Sequence, residues 1–223
     1  RAMTHNGGSV YTATLPAAVC DATIDWYVAI NAVGSGQLIT FPDLAPANFE
    51  RAVAITDIVL MSDDFESDQG WTVADTTLTD GGWERATPTS GGTRGAPVTD
   101  SDGSGQCFLT DDDPNTTNSD VDGGPTILTS PAMDFSSFGD VVVGFDLWFV
   151  NNGNAAVDDV FTIEINDNVG SGWVQVEQLS TSTNGWEPRK INVGDFVSVS
   201  ASVQIRFIAQ DTPNNSIECR SAS

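Results

Sequence analysis

Carboxylates dominate the chemistry open to this chain. Asp111–Gly124 reads DDDPNTTNSDVDGG, five carboxylates in fourteen residues, between the runs GQCFLT and PTILTSPAMDF, which both read as strands. Calcium takes six to eight oxygen ligands from carboxylates and backbone carbonyls. Asp120 and Asp122, alternating ahead of Gly123-Gly124, have the order that turns two carboxylates and a carbonyl toward one point. Asp158 and Asp159, from AAVDDVF, are further candidates for the same ion. The EF-hand spacing and its closing Glu are absent. The first half of the loop, DDDPNTTNS, reads as a solvated tip, so the expected cation belongs to the DVDGG end.

Catalytic constellations have little to work with. The one histidine, His5, sits near the start of the chain, which excludes Ser-His-Asp, Cys-His and zinc-peptidase arrangements. There is no HExxH and no phosphate-cradling glycine motif. Paired carboxylates can hydrolyse glycosides, but among 31 Asp and Glu residues chance pairs are expected and carry no information. The chain therefore reads as a non-enzyme. Trp71, Trp83, Trp173 and Trp186 lie next to Gly near strand ends, where an indole either stacks on a sugar or plugs the core; burial with a partnered N–H is the commoner fate of Trp.

The charge balance bounds the partners. Eight Lys and Arg stand against 31 Asp and Glu, a formal net charge of -23. Such a surface repels nucleic acid and anionic lipid, and it suits divalent cations, salt or solubility. Cys20, Cys107 and Cys219, three in number and unpatterned, make neither a disulfide framework nor a zinc site. No stretch approaches the ~20 apolar residues of a membrane span. The opening RAMTHNGG, without an initiator Met, is read as a piece of a longer precursor.

The elements that must position these residues are strands. Short runs rich in Val, Ile, Thr, Phe and Trp, bounded by Gly, Asn, Asp and Pro, recur along the chain: SVYTATL, TIDWYVAINA, GQLITF, NFERAVAI, VVVGFDLWFV, DVFTIEIND, GWVQVEQL, RKINVGDF and VQIRFIAQ. In Val160–Ile165 the residues Phe161, Ile163 and Ile165 share one face and Val160, Thr162 and Glu164 the other. The spacing predicts an all-β antiparallel sandwich. Composition shifts at Ile55–Met61, which divides the chain into 1–56 and 57–223. The first piece is too small for a sandwich core of its own, and the second is large enough for a complete jelly roll.

Seven segments in order, DDFESDQGWTV, GGWERATP, GQCFLT, DVDGGPTILTSPAMDFS, DVFTIEINDNVGSGWVQVE, NGWEPRKINV and VQIRFIAQDTPNNSIE, resemble the MAM-like, concanavalin-like jelly-roll accessory domains of secreted bacterial proteins. Such domains often follow metallopeptidase domains. The piece before them resembles the last strands of a fibronectin-III or immunoglobulin-like module. The resemblance implies a calcium site in which carboxylates of an early FE motif, here Asp64 and Glu66, join a carboxylate pair on a final strand. That final strand is missing by this reading, because after DTPNNSIE the chain reads CRSAS. The implied protein is a calcium-stabilised, non-catalytic accessory module that acts as a spacer or docking surface for protein or glycan. It belongs to a larger extracellular or cell-surface protein, a hydrolase by this resemblance, whose further domains lie upstream. The alternative is a structural subunit of an extracellular fibre or surface layer, self-associating by strand exchange at the open sheet edge left by the lost strand.

Overall fold

The computed structural model describes residues 1–223 except 1, 9, 32–33, 35, 55–57, 90–94, 113–119, 152–158, 171, 184, 212–217 and 223, with backbone alone at 218–222. The described residues form strands, turns and a 3-10 turn at Val193–Asp195, and none is in an α-helix. Every strand pair is antiparallel. The chain is all-β, and it divides into two compact units, Arg1–Ser62 and Asp63–Ser223.

The first unit holds β1 (Thr4–Gly7), β2 (Val10–Thr12), β3 (Thr23–Trp26), β4 (Val28–Asn31), β5 (Leu38–Phe41) and β6 (Glu50–Val53). These form three separate two-stranded ladders, β1 with β2, β3 with β6 and β4 with β5. The run TIDWYVAINA, expected as one strand, is two, interrupted at Tyr27 because its halves pair with different partners. Ile24, Trp26 and Val28 are half-buried, and no described residue of this unit is fully buried. Val10, Tyr11, Ile39, Phe41 and Val53 are each more than half exposed.

The second unit is a sandwich. Its strands are β7 (Thr72–Asp75), β8 (Leu78–Asp80), β9 (Trp83–Ala86), β10 (Cys107–Thr110), β11 (Asp122–Thr129), β12 (Val142–Asn151), β13 (Phe161–Asn166), β14 (Val174–Leu179), β15 (Glu187–Asn192), β16 (Gln204–Asp211) and β17 (Glu218–Ala222). One sheet runs β14-β13-β16-β11-β7, with β8 also on β11, and the other β15-β12-β17-β10-β9. The chain crosses repeatedly from sheet to sheet, as in a jelly roll. Alternation makes the core: Phe161, Ile163 and Ile165 of β13 face Ile205, Phe207 and Ala209 of β16 inward, all at 2% exposure or less. Leu128, Leu147 and Phe149 complete that layer with Phe65, Trp83 and Phe108. Burying a side chain of this size is worth roughly 1.5–3 kcal/mol, so this unit has the core that the first lacks.

Near the end of the chain Glu218–Ala222 forms β17, which lies between β12 and β10. The run VQIRFIAQ, expected to lie at an open edge, is the interior strand β16, flanked by β13 and β11. CRSAS carries no alternating apolar pattern, so the sequence does not mark β17 as a strand.

Candidate functional site

The expected metal ligands are placed at two ends of the sandwich and do not form one group. Asp64 and Glu66 are exposed and lie against the loop TDSDGSGQ ahead of β10. The Glu66 carboxylate accepts the Gln106 N–H at 2.5 Å, and the Asp64 carbonyl accepts the Ser104 hydroxyl at 3.2 Å. The neighbouring Asp100 is buried and accepts the Gly105 N–H and the Ser104 hydroxyl. Asp102 is held below the ordinary carboxylate range by hydrogen bonds from Ser104, first from its hydroxyl and then from its backbone N–H, and by Asp100.

Asp120, Asp122 and Asp159 lie at the other end of β10. Asp120 precedes β11 and donates its N–H to Asp111, the residue after β10. Asp122 pairs with Asp80 in the β11–β8 ladder, and Asp159 precedes β13. Asp158 lies outside the described residues. A residue that the sequence reading did not single out joins this end: Asp211, opposite Gly123 at the close of β16. Asp120, Asp159 and Asp211 are 4%, 3% and 0% exposed. The buried Asn151 donates from Nδ2 to the Asp159 carbonyl at 2.9 Å. Among the described residues, no group of three or more His, Cys, Asp or Glu side chains is arranged to hold a metal ion. The set Asp64, Glu66, Asp120, Asp122, Asp159 therefore does not fit a single calcium site, since β10 separates its two halves.

The tryptophans resolve mainly as core and strand-end plugs. Trp71 donates to Asp63 at 2.9 Å and packs on Phe65, Phe108 and Phe207. Trp83 is buried against Phe161. Trp148 and Trp186 meet edge to face and donate to the carbonyls of Gly95 and Thr99. Through these bonds, and through a hydrogen bond from the Ser101 hydroxyl to Asp146, the segment 95–101 covers the outer side of β12.

Trp173 differs. It lies against the outer face of the six-stranded sheet, half-buried, with the Arg206 guanidinium 4.2 Å over its ring. Arg206 also donates from Nε to Glu164 at 2.6 Å, across the β13–β16 ladder. Cation–π contact and ion pair together hold the guanidinium between two partners. The strand register sets Glu164, Arg206 and Thr129 in one row of this face and Gln178, Thr162, Ile208 and Ile127 in the next. The Gln178 amide donates to the Thr162 hydroxyl at 3.2 Å. The face thus presents an ion pair, an amide, the Thr129 hydroxyl, two half-buried aliphatic side chains and one indole, with the Thr162 hydroxyl buried beneath the amide. The sequence signal for it was weak: Glu164 and Arg206 sit at outward positions of alternating strands, but 42 residues separate them.

No protein-family model matches the chain, and no curated protein does. Solved structures show likeness to β-sandwich modules. A family 11 carbohydrate-binding module from Clostridium thermocellum, in complex with a beta-1,3-1,4-mixed-linked tetrasaccharide, is 17% identical over 72% of this chain and 90% of its own, with TM-score 0.38. A structure of carbohydrate-binding modules from the β-sandwich superfamily is 13% identical over 90% of this chain and 72% of its own, with TM-score 0.43. The K3 cleaved adhesin domain of Lys-gingipain from Porphyromonas gingivalis is 13% identical over 67% of this chain and 99% of its own, with TM-score 0.34. The assignment of this chain to the all-β sandwiches rests on its own strand order and core.

Proposed function

We propose that the chain is a non-catalytic accessory module whose sandwich docks on a neutral polysaccharide through the outer face of the six-stranded sheet. The observation that supports it is the Trp173–Arg206–Glu164 group amid Gln178, Thr162 and Thr129. Sugars carry vicinal hydroxyls, which bond to fixed amides and charged groups, and C–H faces, which pack on aromatic and aliphatic side chains. The larger protein is a secreted or cell-surface hydrolase in this reading, and the module supplies proximity to its substrate. Among the described residues no helix is long and apolar enough to cross a membrane. The test is affinity electrophoresis through gels that contain mixed-linkage β-glucan, xylan or mannan, beside an assay for released reducing ends. Retardation without hydrolysis is expected, and Trp173→Ala should weaken it about tenfold or more, the cost of a stacking contact of 1–3 kcal/mol. Free migration in all three gels would remove the glycan reading.

Calcium stabilisation is the second part of the proposal, and its support is the excess of 31 Asp and Glu over eight Lys and Arg. Calcium takes carboxylate oxygens, and a densely anionic surface favours a divalent cation. A bound calcium at a hundred times its Kd would stabilise the unit by about 2.7 kcal/mol. Millimolar calcium should then raise the melting temperature by several degrees and EDTA should reverse it. An unchanged Tm at low salt rules the ion out.

A further inference from the structure

The edge where the chain passes from β14 to β15 holds a groove of about 330 Å3, lined by Glu177, Gln178, Ser180, Thr181, Glu187 and Arg189 among others. β14 ends one sheet and β15 ends the other, so the groove opens at the long edge of the sandwich. Its floor is fixed. The Asn151 N–H donates to the Ser182 hydroxyl at 2.8 Å, the Thr183 N–H to the Phe149 carbonyl at 2.7 Å, and the Phe149 N–H to the Thr183 hydroxyl at 3.0 Å. Across it Arg189 donates from Nε to Glu177 and from Nη2 to Glu187, both at 3.1 Å. The exposed Ser180 and Thr181 stand at the rim.

We propose that this groove is a second saccharide subsite, which takes one sugar unit of a neutral polysaccharide running off the sheet face. The inference rests on the glycan reading above and assigns it a further site. The groove's volume fits a small ligand, and its walls are carboxylates, an amide and hydroxyls, so a polyol suits it and an apolar ligand does not. The two carboxylates are bridged by a guanidinium, which disfavours a metal ion, and the Glu177 carboxylate can accept further bonds from sugar hydroxyls. Charge-assisted bonds of this kind are roughly twice as strong as neutral ones. Arg189 is committed to two carboxylates in a chain of net charge -23, so a uronate or sulfated sugar meets repulsion here. Gln178 links the groove to the face, since it lines the one and bonds to Thr162 on the other.

An NMR titration of the full chain tests the inference, using a mixed-linkage β-glucan tetrasaccharide, xylohexaose, mannohexaose and an oligouronate as separate probes. With a neutral probe, backbone shifts are expected at 177–189 as well as at Trp173 and Arg206. The groove-filling Thr181→Tyr should weaken binding about fivefold to tenfold, the scale of one ordinary hydrogen bond, and Glu187→Gln should weaken it with the fold intact. Shifts confined to the Trp173–Arg206 face, with Thr181→Tyr binding as the parent does, overturn the subsite and leave the module's function standing. Stronger shifts at 177–189 from the oligouronate overturn its neutral class. Silence to every probe overturns subsite and function together.

Discussion

Asp134 shows how a single side chain sets acid sensitivity. Its carboxylate accepts both the Ser136 hydroxyl at 2.7 Å and the Ser136 N–H at 3.0 Å, and these bonds hold it below the ordinary carboxylate range. Asp102 is held down in the same way by Ser104. A carboxyl whose folded pKa is depressed contributes its full stability above the unfolded value of about 3.9 and loses it as pH falls through the folded value. Ser136→Ala removes the hydroxyl bond, the larger cause, and leaves the backbone one. The Asp134 pKa should rise part of the way toward that of an unperturbed Asp, as read by the carboxyl carbon shift against pH. A titration identical to the parent's would show that the hydroxyl does not cause the depression. At this scale the sequence was informative in kind, since Asp-x-Ser is a turn signal. It was silent on which Asp residues would be buried, because Asp120, Asp159 and Asp211 gain burial only from strands that meet over them.

Elements are joined at close backbone approaches, and Gly81 marks one. It links β8 to β9 with φ +77, and a Cβ built there would stand 2.1 Å from the Asp120 carbonyl oxygen. Gly81→Ala combines left-handed strain with a backbone overlap, and it should cost about 3 kcal/mol. Gly103, with φ +80 and nothing within 4 Å of a built Cβ, is the control. Gly103→Ala should cost about 1 kcal/mol, from strain alone. Urea denaturation that gives equal losses for the two would contradict the close approach at Gly81. The strands β12, β13, β14 and β16 were legible as runs of alternating or continuous apolar residues. β17 was not, and RKINVGDF was expected to continue as strand where the chain turns into Val193–Asp195.

For the whole molecule, the contrast between the two units has a direct consequence. The second has a packed core, whereas no described residue of the first is fully buried. Segments with few buried apolar contacts open at low free energy and are cleaved first. Arg51, in β6, is held by its ion pair with Asp25, and both side chains are well exposed. Such a pair adds little against opening. Trypsin should therefore cut at Arg51 early and leave a fragment from Ala52 onward whose melting matches the main transition of the parent. Persistence of the intact chain while the core transition remains folded would show that the first unit is covered by something that these strands do not supply.

Composition and pattern alone determined the class of structure. Short β-branched runs bounded by Gly, Asn and Asp, with no helical pattern beside them, bury their apolar faces by packing sheet on sheet. Local signals also marked the loops as acidic. The tertiary structure decided which residues meet. It set Arg206 between Glu164 and Trp173, joined Arg189 to Glu177 and Glu187, and put Asp64 and Asp120 at opposite ends of β10. It also seated an unpatterned C-terminal segment between β12 and β10. The physical reason is common to all four. Strand alternation fixes the face on which a side chain lies, but register and strand order, which are long-range properties of the closed sandwich, fix its neighbour.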